Sequence, residues 1–137
     1  VIVGYTGTRE GMTKAQKKVI DIFFCDNDVS EAHHGDCIGG DEDFHKICRK
    51  HSIPVVLHPP EDERLRAFCK GAVRVERPYP YLVRNQHIVN ASDLLLAAPK
   101  EEYEPDAMRG QGTWSTVRYA RRSLSPMRVI WPDGEPW

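Results

Sequence analysis

The sequence predicts one α/β domain: a mostly parallel sheet of about five strands with helices on both faces. Three observations carry that expectation. Short apolar runs such as VIVGY and DLLLAAP have the near-continuous hydrophobicity of strands buried on both sides. Amphipathic stretches with helix-start signals lie between such runs, so the two patterns alternate from end to end. At 137 residues, 40% hydrophobic and 28% charged, the chain is long enough for one self-supporting core and shows no linker or repeat.

The elements follow in order. VIVGY opens as a strand, and TGTREGM follows as a polar loop carrying glycine. Thr13 and Gln16 form a T-x-x-Q capping box, and Ala15, Val19, Ile22 and Phe23 recur at helical spacing, so residues 13–25 read as an amphipathic helix. VSEAHHGD reads as a second strand despite its polarity. GGDEDFHKICRKH is a helix entered through glycines, with Asp41 expected to cap it. Its acids fall in the first turn and its bases in the last, as the helix dipole prefers. IPVVLHPP is a third strand stopped by its prolines, EDERLRAFCKG a short helix ending at Gly71, and AVRVERP a brief extended segment. YPYLVRNQHIVNAS is a helix beginning near Pro80, and DLLLAAP the next strand. The loop KEEYEPDAMRGQG leads to a helix over 113–123, the strand MRVIW and a turn-rich tail, PDGEPW. The whole is a single Rossmann-like domain over residues 1–137.

Composition excludes several function classes. A net charge of −1 offers no general attraction to nucleic acid or to an anionic membrane. No apolar run approaches the length of a membrane span, and VIVGYTGTRE lacks the basic start of a signal peptide. Cys25, Cys37, Cys48 and Cys69 form no CxxC pair and read as reduced thiols. A cytoplasmic protein is expected.

In doubly wound folds ligands bind beyond the carboxyl ends of the strands, which makes the loops after strands informative. In the first, GYTGTRE, Gly7 lets backbone amides approach an anion, Thr6 and Thr8 offer hydroxyls, and Arg9 offers a forked cation. In the second, Gly39 and Gly40 precede Asp41, Asp43 and His45. That spacing matches no usual zinc grouping, so no metal is expected, and no cofactor is called for. In the third, Gly110 and Gly112 open a helix at which Thr113 either caps or bonds a phosphate. Arg84 and Asn85 stand on the helix before DLLLAAP, and Arg84 reads either as a phosphate fork or as a surface ion pair. Trp114 or Tyr5 could pack on a base or ribose, and core packing is the alternative for Trp114. The basic cluster VRYARR is explained by a solvated helix face, so a nucleic-acid partner is not expected.

Taken together, GYTGTR, GGDEDFH, RNQHIVNASDLLLAAP and GQGTWSTVRYA resemble the SLOG group of Rossmann-like nucleotide-binding domains over nearly the whole chain. That group includes the "lonely guy" phosphoribohydrolases, also described as lysine decarboxylase-like, and the DNA-processing protein A domain. GGDEDFH is similar to the G-x-D-x-x-x-H segment of the DNA-processing branch through Gly39, Asp41 and His45. RNQHIVNAS resembles that branch's RNRLI-type helix through Arg84, Asn85 and Ile88. RGQGTWST resembles the phosphoribohydrolase signature PGGxGTxxE through Gly110, Gly112 and Thr113, with Arg109 in place of the first paired glycine.

The signature's catalytic glutamate is missing, and Thr116 stands there. A hydroxyl cannot stabilise an oxocarbenium-like centre or activate water as a carboxylate does. The resemblance therefore implies binding of a nucleotide or nucleotide-derived phosphorylated ligand, to sense, carry or sequester it. The alternative is an N-glycosidic hydrolase or transferase using another carboxylate, with Asp41 and Glu42 as candidates and Asp36 or an acid of KEEYEPDAM also within possible reach. The resemblance further implies a homo-oligomer.

Overall fold

The computed structural model describes residues 1–106 and 111–135, with only the backbone at Gln111. Its sheet has six strands: β1 (Ile2–Gly7), β2 (Glu31–His34), β3 (Val55–Leu57), β4 (Arg74–Val75), β5 (Leu94–Ala98) and β6 (Met127–Val129). They lie in the order β4-β3-β2-β1-β5-β6, and every pairing is parallel. The helices are α1 (Lys14–Asp26), α2 (Gly40–Lys50), α3 (Tyr81–Ala91) and α4 (Gln111–Arg122). This is the expected single α/β, Rossmann-like architecture, with the brief extended segment after Gly71 supplying a sixth, edge strand.

Strand alternation sorts the core into two layers. Leu96 and Ala98 of β5 join Val3 and Tyr5 of β1 in a cluster with Ile20, Phe24, Phe44 and Cys48, beneath α1 and α2. Leu95 and Ala97, one residue out of phase, face Ile88, Val89, Trp114, Val117 and Ala120 of α3 and α4. Each fully buried large side chain contributes roughly 1.5–3 kcal/mol.

The capping box at α1 forms as expected. Thr13 Oγ1 accepts from the Gln16 amide at 3.1 Å, and the Thr13 amide donates to Gln16 Oε1 at 3.0 Å. Gln16 Nε2 also donates to the Pro99 and Ile130 carbonyls, each at 2.8 Å, tying α1 to the ends of the two strands beyond β1.

Two expectations are corrected. Asp41 does not cap α2: Gly39 holds that place at φ 100°, and its amide donates to Glu42 Oε1 at 2.9 Å. The helix expected over 61–71 is only a 3-10 turn, Glu63–Leu65. A buried carboxylate outcompetes it. Asp36 Oδ2 accepts from Arg66 Nε at 2.7 Å, and Asp36 Oδ1 accepts from the Cys69 amide at 2.8 Å. The Ala67 amide donates to the Asp36 carbonyl at 2.8 Å. Local helix propensity is a weak preference beside a charge-assisted anchor.

Candidate functional site

Strand order reverses at β1, which has β2 on one side and β5 on the other. The loops after β1 and β5 therefore part, and a cleft of about 620 Å³ opens between them. Thr6, Gly7, Thr8 and Arg9 form one wall, and Gly112, Thr113 and Trp114 at the start of α4 form another. Asp41, Arg84 and Asn85 also line it. Residues far apart in sequence and singled out there thus meet in one place. Gly39, Gly40 and Glu42 do not line the cleft, and Gly110 and Arg109 lie outside the described residues.

Asp41 and Arg84 are both buried. Burial pushes the Asp41 carboxyl up to about 6, against the opposing pull of Arg84 and of the Cys37 and Gly35 amides. Arg84 is not a surface ion pair. Its Nη1 donates to the Gly35 carbonyl at 2.6 Å and lies 3.3 Å from Cys37 Sγ and 3.4 Å from the His58 carbonyl. Its Nε is buried without a partner.

Behind the cleft two histidines form a proton-ordered chain. The Asp36 amide donates to His34 Nδ1 at 3.0 Å, so His34 carries its hydrogen on Nε2. That nitrogen lies 2.9 Å from His45 Nδ1, and His45 Nε2 lies 2.7 Å from the Lys70 carbonyl, which can only accept. His34 is thus neutral, and every ring nitrogen of the two histidines is bonded. Together with Cys69 they are the one grouping among the described residues close enough to share a metal ion. Binding through His34 Nε2 would move that hydrogen to Nδ1, against the Asp36 amide hydrogen. Metal binding there would cost the bond from the Asp36 amide to His34 Nδ1.

The aromatic expectations are redistributed. Tyr5 is buried and stacks on Phe44 at 4.5 Å. Trp114 is buried, leans on Trp131 at 5.8 Å and donates from its indole nitrogen to Glu101 Oε1 at 2.9 Å. Core packing, the alternative for Trp114, holds. The exposed aromatic side chain at the cleft is Tyr81, with Ile38, Pro60 and Leu65 also lining it. Sequence reasoning missed these four because tertiary pairing assembles them. The Ile38 amide donates to the Leu65 carbonyl at 3.0 Å, and Pro60 bridges to Tyr79, two residues before Tyr81.

Thr113 sits inside the first turn of α4, one residue past the non-helical Gly112 (φ 15°, ψ −71°). Thr116, where the glutamate of the resembled signature would stand, is buried and donates from Oγ1 to the Gly112 carbonyl at 2.8 Å. Its hydroxyl braces the glycine turn.

No protein-family model matches the chain, and no curated protein matches it in sequence. In three dimensions it is similar to the molybdenum cofactor binding protein from the phototrophic bacterium Rippkaea orientalis, with a TM-score of 0.70 at 18% identity over 95% of this chain and 76% of that one. It is also similar to the protein TM1055, with a TM-score of 0.63 at 13% identity over 92% and 71% of the two chains. What these likenesses establish is the fold.

Proposed function

We propose that the cleft binds a nucleotide or a nucleotide-like phosphorylated ligand and holds it without cleaving it. The observation that carries this reading is the convergence of Thr6, Gly7, Thr8, Arg9, Arg84, Asn85, Gly112 and Thr113 on one cleft at the strand-order reversal. The phosphate lies between the loop after β1 and the entrance of α4, where hydroxyls, backbone and the Arg9 cation are available. The ring lies toward Tyr81, Ile38, Pro60 and Leu65, the apolar side of the cleft. A cofactor-binding neighbour of the same fold supports a binding role, and the resemblance of the motif series to the SLOG group agrees with it.

A second reading, hydrolysis of an N-glycosidic bond, is favoured by one observation: Asp41 is a buried carboxyl in the cleft with its pKa raised to about 6. Water would add at the anomeric carbon as the carbon–nitrogen bond breaks, and the base would leave with a proton. Titration calorimetry with nucleoside monophosphates and with molybdenum cofactor, run beside an assay of free base, decides between the two. Tight binding without base release supports the binder. Base release that disappears in Asp41→Asn overturns it.

We further propose that the protein self-associates through the exposed Leu82 and Val83 at the start of α3. Light scattering showing a monomer would remove that part. No helix among the described residues is long and apolar enough to cross a membrane. The four cysteines are free thiols, which suits the reducing cytoplasm.

A further inference from the structure

Among the described residues three buried side-chain atoms lack a hydrogen-bond partner: Tyr5 Oη, Arg84 Nε and His33 Nε2. Tyr5 and Arg84 both line the cleft. Native proteins leave few such groups unsatisfied, because each gives up its hydration with no bond in exchange. Arg84 Nε can only donate. Burial and the carboxylates of Asp41 and Asp43 raise the Tyr5 phenol well above its ordinary value, so its oxygen keeps its hydrogen and is also a donor. The cleft thus holds two donors and needs an acceptor.

The surroundings of the Tyr5 oxygen are specific. A Cβ built on Gly7 would stand 2.1 Å from it, and one built on Gly40 would stand 2.7 Å away. Glycine at both places leaves the hydroxyl in a slot, between the end of β1 and the entrance of α2, that any side chain would fill. The ring is fixed by stacking on Phe44, so the oxygen is aimed by the core.

We infer that the Tyr5 hydroxyl is a ligand-binding donor, giving its hydrogen bond to a phosphate oxygen seated on the loop Gly7–Thr8–Arg9. This deepens the nucleotide reading of the cleft and rests on it. The hydroxyl selects for a ligand with an anionic oxygen at that depth, and the two glycines make the room that the hydroxyl occupies.

Tyr5→Phe tests the inference, since it removes one oxygen and leaves the stacked ring. Wild type and variant are titrated calorimetrically with adenosine 5′-monophosphate and with inorganic pyrophosphate. Wild type is expected to bind at least one probe, the variant ~10- to 100-fold more weakly, the scale of a charge-assisted bond. The ligand-free variant is expected to melt no lower than wild type, because no bond within the protein is lost. On saturation of the wild type, the Tyr5 ring ζ-carbon resonance is expected to move. Equal affinities, or an unmoved ζ-carbon resonance, overturn this inference and leave the nucleotide reading standing. Failure of the wild type to bind either probe overturns both. A variant melting several degrees lower reveals a protein partner for the hydroxyl, and that also overturns the inference.

Discussion

Arg84 Nη1 donates to the Gly35 carbonyl at 2.6 Å, a bond spanning 49 residues that fastens α3 to the loop after β2. The same guanidinium lies close enough to Asp41 to oppose the rise in its pKa. Arg84 therefore holds the cleft together as well as lining it. Arg84→Ala is expected to cost about 1–3 kcal/mol of stability, since it leaves the buried Gly35 carbonyl without its donor and removes a cation that favours the Asp41 carboxylate. Urea unfolding measures that, and calorimetry with a nucleoside monophosphate is expected to show weaker binding alongside it. Arg84→Lys recovers little, because an ammonium has no fork. A variant of unchanged stability contradicts the anchoring role.

Asp41 is kept at a cost. Its carboxyl ionises at 3.8 in the unfolded chain and about 6 in the fold. The native state thus binds the extra proton between those values and is penalised above them, by roughly 3 kcal/mol at neutral pH. Asp41→Asn is expected to raise the melting temperature at pH 8 and to weaken ligand binding. A lower melting temperature at pH 8 would mean that the carboxylate is held for structure alone.

The buried histidines act with the opposite sign. Burial, with His33 nearby, depresses His58 from 6.5 to about 4, and burial lowers His34 well below its ordinary value. Below pH 6.5 the unfolded chain takes up protons that the native rings refuse, so stability falls as pH drops from about 6.5 toward 4. The loss from His58 alone reaches about 3 kcal/mol. Because Asp41 gains protons over much of the same window, Asp41→Asn is expected to steepen the acid loss. Unfolding curves for both proteins from pH 4 to pH 8 check this.

Thr116 marks where a catalytic glutamate stands in the resembled signature, and inserting one is expected to fail. The site is 2% exposed and its hydroxyl is bonded to Gly112. Thr116→Glu buries a carboxylate without a partner and is expected to cost about 3 kcal/mol or more. No release of base from nucleoside monophosphates is expected in the folded fraction. A stable variant that releases base would place Thr116 at the reacting centre.

The alternation of strands and helices is legible in the sequence, because period-two and period-3.6 hydrophobic patterns and the Thr13–Gln16 box are local signals. The two loops that meet at the cleft are marked there too, since glycines and hydroxyls after VIVGY and before WSTVRYA are legible without a fold. Tertiary structure alone decided what could not be local. Asp36 draws residues 66–69 out of a helix through bonds reaching some thirty positions along the chain. Pairing of Ile38 with Leu65 and of Pro60 with Tyr79 builds the apolar side of the cleft. Parity along β1 turns Tyr5 into the α1–α2 core and leaves its hydroxyl between Gly7 and Gly40. Loop glycines can be read from their neighbours in sequence, whereas the partner of a buried polar group is set by whichever distant backbone or side chain the folded core brings beside it.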